Sequence, residues 1–213
     1  MKRELLTALR ATLVTLLATG IAYPLLVTGV AHLLFPSRAA GSLVTDDRDQ
    51  VVGSELIGQG FSSPGYFQSR PSAAGDGWDA ANSSGSNLGP TSKKLRDAAK
   101  DRVTKLRADN PDAPADVPAE LVTQSASGLD PHVSPEAALW QVPRVARARG
   151  VAAARVSGVV DELVEARDLG FLGEPRVNVL LLNLALDRRF GRPPAPGSAT
   201  AAGLEPAAAP RQD

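Results

Sequence analysis

Hydrophobic patterning divides the chain into unlike parts. From residue 11 to residue 37 no side chain is charged, and between Leu13 and Leu34 the few polar positions are threonines, Tyr23 and His32. A helix rising about 1.5 Å per residue over 11–34 crosses a hydrocarbon core of roughly 30 Å. The pattern therefore predicts one transmembrane helix. Gly20, Pro24 and Gly29 interrupt it, and Pro24 removes one backbone hydrogen bond. Membrane helices tolerate such breakers where a threonine or a neighbouring helix satisfies the freed carbonyl. Thr15, Thr19, Gly20 and Gly29 permit close helix approach, so with Pro24 they are candidate partner-facing positions. Two rivals are a cleaved signal peptide, with Gly29-Val30-Ala31 as its cleavage site, and a buried helix of a soluble domain. The apolar run far exceeds the ~7–15 residues of a signal peptide's hydrophobic region.

Past the anchor, Phe35-Pro36 ends the helix. Residues 41–45 and 50–57 have strand character around the turn Asp46-Asp47-Arg48-Asp49, which predicts a hairpin. Residues 58–90 are loop-rich yet hold Phe61, Tyr66, Phe67 and Trp78. Long irregular segments that keep aromatics are packed over a core or functional. A helix is predicted over 92–109, with Leu95, Ala99, Val103 and Leu106 at helical spacing and Asn110-Pro111 as the stop. Ser134-Pro135-Glu136 opens another helix through Trp140-Gln141, with Ser as cap and Pro in the first turn. Pro143 is expected to kink or restart it before 144–149, and Gly150 to end it. A further helix is expected over 151–168, with Val156, Val159, Val160, Leu163 and Val164 on one side. Glu174-Pro175 introduces a strand at 177–182, and 183–190 reads as its continuation or a short helix. The Pro/Ala-rich stretch 191–213 is expected to be disordered. The fold class is a mixed α/β (α+β) domain over 39–190 on a single N-terminal transmembrane helix over 11–34.

Charge gives this layout a direction. Lys+Arg and Asp+Glu are both 23, a net charge of zero, which excludes a generic nucleic-acid binder. The zero sums unlike parts. Residues 1–10 carry +2 and residues 39–190 carry −3. A basic flank before the span predicts a cytosolic stub at 1–10 and an extracytoplasmic domain in a cell-membrane protein. One local exception is 93–107, with seven basic and two acidic residues. It reads as a solvated face, or as a docking surface for an acidic partner or lipid headgroups. Arg144, Arg147 and Arg149 read as solvated helix charge or as pairing sites for acidic partner loops.

Catalytic chemistry is scarce. The chain has no Cys and two His, which excludes disulfides, thiol nucleophiles and Cys- or His-rich metal sites. Residues 53–60, GSELIGQG, space their glycines like a phosphate loop, but Gln59 stands where its lysine is needed. Ser127, Asp130 and His132 lie close in sequence, and a hydrolase using Ser127 and His132 is the catalytic alternative. The Gly-x-Ser-x-Gly elbow that exposes a nucleophile is missing. Asp130 and His132 alone do not make a metal site. Gln59, Arg70 and Asn87 place polar groups near aromatics, either as a binding surface or as loop-stabilising bonds.

Certain motifs are more specific. TGIAYPLL in the anchor, GSELIGQGF, YFQSRPSA, GSNLG, VPAELVTQSASGLDPHVSPEAALWQVPRVARARG and VNVLLLNLALD run through nearly the whole chain. Together they resemble the C subunit family of Kdp-type potassium-transporting P-type ATPases. Ser84 departs from the pattern, standing where a second glycine is expected. The tail past Gly191 extends beyond the family's usual end. The resemblance implies a non-catalytic accessory subunit of a membrane complex. Its partners there are a channel-like potassium-translocating subunit and a P-type ATP-hydrolysing subunit, and a small membrane peptide can join them. It further implies a role in assembly and in raising the ATP affinity of the hydrolytic subunit. If ATP met this chain directly, the Ser127-Gly128 turn and Gln141 are the candidate nucleotide-facing groups. With the domain outside the cytosol, ATP would act through the complex instead.

Overall fold

The computed structural model describes residues 1–194. Most of the tail expected to be disordered, residues 195–213, lies outside the described residues. Helix α1 (Lys2–Leu17), a π-helical turn (Ala18–Ala22) and α2 (Tyr23–Leu34) form one continuous rod over Lys2–Leu34. No residue of it is buried, so over 11–34 an apolar surface about 36 Å long faces outward. The π turn answers Pro24. The Tyr23 N–H reaches back to the Ala18 carbonyl, five residues away, which widens the helix just where a proline ring would meet the preceding turn. Thr19 Oγ1 donates to the Thr15 carbonyl at 2.8 Å, so it does not cover the carbonyls that Pro24 leaves free.

The short helix α3 (Pro36–Ala39) leads into an antiparallel hairpin of β1 (Leu43–Thr45) and β2 (Val51–Ser54). Asp46 shapes the turn, its Oδ1 accepting from the N–H groups of Arg48 at 2.9 Å and Gln50 at 3.0 Å. After a long irregular stretch, α4 (Lys93–Asp109) begins at Ser92, whose Oγ accepts from the Leu95 N–H. Next come α5 (Ala119–Val122) and β3 (His132–Val133).

Helix α6 (Pro135–Arg149) runs on through Pro143, so the helix does not restart there. The proline costs one hydrogen bond there, and burial of Ala137, Ala138, Trp140, Val142, Val145 and Ala146 around it offsets the loss. Gly150 closes the helix in the left-handed conformation, φ 65° and ψ 29°.

The C-terminal third differs more from the sequence reading. The helix expected over 151–168 is α7 (Ala153–Glu162), followed by β4 (Val164–Glu165). The strand expected over 177–182 is β5 (Arg176–Asn178), and the chain then turns directly into α8 (Val179–Phe190). Val164 satisfies the apolar stripe of the preceding helix, but its backbone pairs with Val177. Asn178 makes the switch, its side chain accepting from the Leu181 N–H at 3.2 Å as the cap of α8. The sheet order is β3-β5-β4, all antiparallel. Helices α6, α7 and α8 pack on one another around it. Phe67, Leu121, Val133, Trp140, Val145, Val156, Val160, Val177, Leu182 and Leu186 form the buried core. The result is a mixed α/β domain on one N-terminal apolar helix.

Candidate functional site

The aromatic loop of residues 58–90 is threaded over the helices and held there by buried polar side chains. Two amides act as clamps. Gln141 of α6 accepts from the Gln68 N–H at 2.8 Å and donates to the Gln68 carbonyl at 3.1 Å. Asn183 of α8 does the same for Phe67, at 2.8 and 3.0 Å. Two adjacent residues of an extended segment thus receive from side chains the bonds a neighbouring strand would supply.

Two arginines complete the attachment. Arg144 is buried and donates to the carbonyls of Pro64 at 2.6 Å and Tyr66 at 3.0 Å, and to Gln141 Oε1 at 2.7 Å. Burial draws its pKa down to about 10, so it remains cationic at neutral pH. Arg149, with a side chain only 1% exposed, pairs with Asp187 of α8 at 2.8 Å and donates to the carbonyls of Gly65 and Gly191. Its guanidinium lies 5.1 Å from the centroid of the Tyr66 ring. The Tyr66 hydroxyl donates to the other Asp187 oxygen at 2.8 Å. Burial, and then that bond to a carboxylate, push the Tyr66 pKa up to about 12. These arginines are therefore internal staples, contrary to the solvated or partner-facing charge the sequence suggests. Arg147 keeps a surface role, paired with Asp112.

Ser127 and Gly128 lie in a second network. The Ser127 carbonyl accepts from the Ser84 N–H at 3.0 Å and Ser83 Oγ at 2.9 Å. The Gly128 carbonyl accepts from Ser72 Oγ at 2.7 Å. Gly128 has φ +69°, and a Cβ there would lie 2.7 Å from both Ala74 N and Ser84 O. Only glycine fits where these three loop segments meet. Ser84, the departure from the family pattern, is itself one of the contacts.

Between the two networks opens a cleft of about 270 Å³, lined by Phe61, Trp78, Leu106 and Leu121 with Arg102, Lys105, Gln68 and Gln141. Gln141 is the one candidate nucleotide-facing residue on its wall, and its oxygen and nitrogen are already bonded internally. Ser127 and Gly128 are not among the lining residues, so the three candidates do not converge. The cleft offers apolar walls and two cations.

The other candidates serve the fold or the surface. Gln59 donates to the Val52 carbonyl at 2.9 Å, and its buried Oε1 lacks a partner. Arg70 pairs with Asp130 at 3.1 Å and joins two loops. Asn87 is exposed at φ +51°. Thr15, Thr19, Gly20, Pro24 and Gly29 are exposed along the apolar rod. His132 sits with Nδ1 3.9 Å from Asp130 and Nε2 4.0 Å from Glu165, and Ser127 Oγ accepts from the Leu129 N–H. The pair expected for a hydrolase is not assembled among the described residues. They also hold no group of three or more His, Cys, Asp or Glu placed to bind a metal. Asn183 and Asp187 were missed from sequence, and Arg144 and Arg149 were given a surface role. Their signal was polar residues standing at core positions of apolar helices.

Comparison with known proteins gives this architecture its relatives. The family model described as K+-transporting ATPase, c chain, matches residues 5–188. A potassium-transporting ATPase KdpC subunit of Myxococcus xanthus is 67% identical over 194 residues, covering 90% of this chain and 92% of that protein. The KdpC subunit of Nitratidesulfovibrio vulgaris is 56% identical over 192 residues, covering 88% and 97%. That of Rhodopseudomonas palustris strain BisB5 is 53% identical over 199 residues, covering 88% and 98%. With a match across nearly the whole domain and its apolar helix, the chain belongs to the KdpC family, the c chain of K+-transporting ATPases.

Proposed function

We propose that this chain is the non-catalytic accessory subunit of an ATP-driven potassium uptake complex, required for the complex to assemble. It works beside a channel-like potassium-translocating subunit and a P-type ATP-hydrolysing subunit, with room for a small membrane peptide. One observation carries the reading: an unburied apolar rod precedes a domain in which the buried side chains of Gln141, Arg144 and Asn183 bond internally. The rod has the length to span a bilayer, and its small residues around the π turn suit a helix partner. The basic N-terminal flank favours a cytosolic N-terminus in the cell membrane and an extracytoplasmic domain.

In that orientation the domain does not meet ATP. A raised ATP affinity of the hydrolytic subunit then reaches it through the complex or the anchor. Direct contact through Ser127, Gly128 and Gln141 requires the opposite topology and is disfavoured by their internal bonding. Protease digestion of sealed vesicles of known orientation tests the placement. Cleavage of the domain from the cytosolic side overturns it. Deletion of this chain tests the role, which fails if an intact complex with full potassium-stimulated ATPase activity forms without it.

A further inference from the structure

Between β4 and β5 the chain projects a finger, residues 166–175, whose tip is apolar and bare. Leu169 is 82% exposed, Phe171 69% and Leu172 50%. The tip is a built turn. Asp168 and Leu172 exchange both backbone hydrogen bonds at 2.9 Å. Leu169 holds φ +53° between them, a conformation that bulky L residues rarely adopt. Neither the exposure nor the strain serves the core, because these side chains are absent from it. Below the tip two arginines face three carboxylates, Arg167 with Glu174 and Arg176 with both Glu165 and Asp168, a net charge of −1.

The sheet bearing the finger is tied to the point where the chain leaves the apolar rod. The Glu55 N–H donates to the Ser42 carbonyl at 3.1 Å, just past α3. The Glu55 carbonyl accepts from the Asn178 side chain at 2.8 Å, at the end of β5. Leu43 and Leu56, on either side of this junction, are 55% and 64% exposed, and Phe35 beside the exit is 54% exposed. Leu172 is six residues from Asn178, so at about 3.3–3.6 Å per residue it lies within roughly 20 Å of the junction. The finger tip is thus a separate apolar patch within reach of the exit of the rod.

We propose that the finger is a second membrane contact, with Leu169, Phe171 and Leu172 inserted into the lipid interface and the paired charges at headgroup level. The size of the patch selects this occupant. Three side chains offer on the order of a few hundred Å², short of the roughly 1,000 Å² that a standing protein interface clears. A tethered domain needs only a shallow contact about 5–10 Å deep to be held against the bilayer. With that residual negative charge the contact draws nothing from anionic lipid. The inference rests on the reading of Lys2–Leu34 as a span.

The absence of native cysteine makes the test direct. Single-cysteine variants of the full chain, Phe171→Cys, Lys94→Cys and Leu26→Cys, are labelled with an environment-sensitive fluorophore. They are placed in nanodiscs of phosphatidylcholine, with or without phosphatidylglycerol, that carry nitroxide lipids. The expected result is a blue shift at Phe171→Cys and quenching several-fold stronger than at Lys94→Cys, no stronger with phosphatidylglycerol than without it. Leu169→Cys is the second reporter should Phe171→Cys lose its native circular dichroism. A water-exposed, unquenched label at the finger with Leu26→Cys quenched overturns the contact and leaves the span intact. An unquenched Leu26→Cys removes both. A finger label that becomes protected only when partner subunits join, and stays unquenched by lipid, overturns the proposal in favour of a protein interface.

Discussion

Gln141 bonds Gln68 through both ends of its amide, accepting at 2.8 Å and donating at 3.1 Å, and so does for an isolated extended segment what a strand does in a sheet. Replacing Gln141 with Ala leaves the Gln68 N–H and carbonyl without partners and removes an acceptor from Arg144. The expected loss is about 2–3 kcal/mol, read as a lowered denaturation midpoint of the full chain in detergent. Asn183→Ala, which unclamps Phe67, should cost a similar amount. Lys94→Ala on the exposed face of α4 should stay within about 0.5 kcal/mol. An unchanged midpoint in Gln141→Ala would show that the clamp carries no stability.

The Tyr66–Asp187–Arg149 cluster predicts a pH dependence. Burial and the bond to Asp187 hold the Tyr66 proton up to about 12 in the folded chain, against about 10 in the unfolded chain. The stability from a raised pKa is fully present below pH ~10 and is lost as pH rises toward 12. Tyr66→Phe forfeits the hydroxyl bond, costing about 1 kcal/mol near neutrality. The difference between the two proteins should shrink across that alkaline window. Denaturation at a series of pH values checks this, and a gap that stays constant or widens refutes the assignment.

The elements that sequence located well are those whose local signals agree. Ser92 and Ser134 cap helices as their positions suggest, Gly150 ends one, and Asp46 turns the hairpin. The boundary near 178 was not legible because VNVLLLNLALD is apolar at both periods, and the one near 163 because Leu163 and Val164 continue the apolar stripe of α7. Only pairing of Val164 and Val177 across the sheet decides them. The candidate site was misjudged for a related reason. Gln141, Arg144 and Arg149 look like surface chemistry in one dimension, and their loop partners Gln68, Pro64 and Gly65 lie 73, 80 and 84 residues away, in a segment without periodicity.

Asp46 yields a prediction at the acid end. Hydrogen bonds from the backbone of Gln50 and Arg48, with Arg192 adding a smaller effect, hold its pKa below the usual carboxylate value. The stability from a lowered pKa is present above the unfolded value near 4 and is lost as pH falls through the folded one. Asp46→Asn should be less stable than the native chain at neutral pH, and the two should converge below pH ~4. Equal stability at neutrality would mean the turn does not depend on this carboxylate.

Gly128 and Ser127 separate a structural turn from a nucleotide contact. A Cβ at Gly128 meets backbone atoms of Ala74 and Ser84 at 2.7 Å, and φ +69° strains any L residue. Backbone atoms cannot rotate aside as a flexible side chain can, so Gly128→Ala should cost about 1–3 kcal/mol. The loss should appear in the isolated chain as a lowered thermal midpoint, with the same value whether or not ATP is added. Ser127 is exposed, and its hydroxyl serves only the Leu129 N–H among the described residues. Ser127→Ala should therefore change stability by less than about 1 kcal/mol. In the assembled complex it should leave the ATP concentration for half-maximal hydrolysis unchanged. If Ser127→Ala weakens that ATP dependence while the chain stays folded, the turn is functional, and the domain must reach the nucleotide.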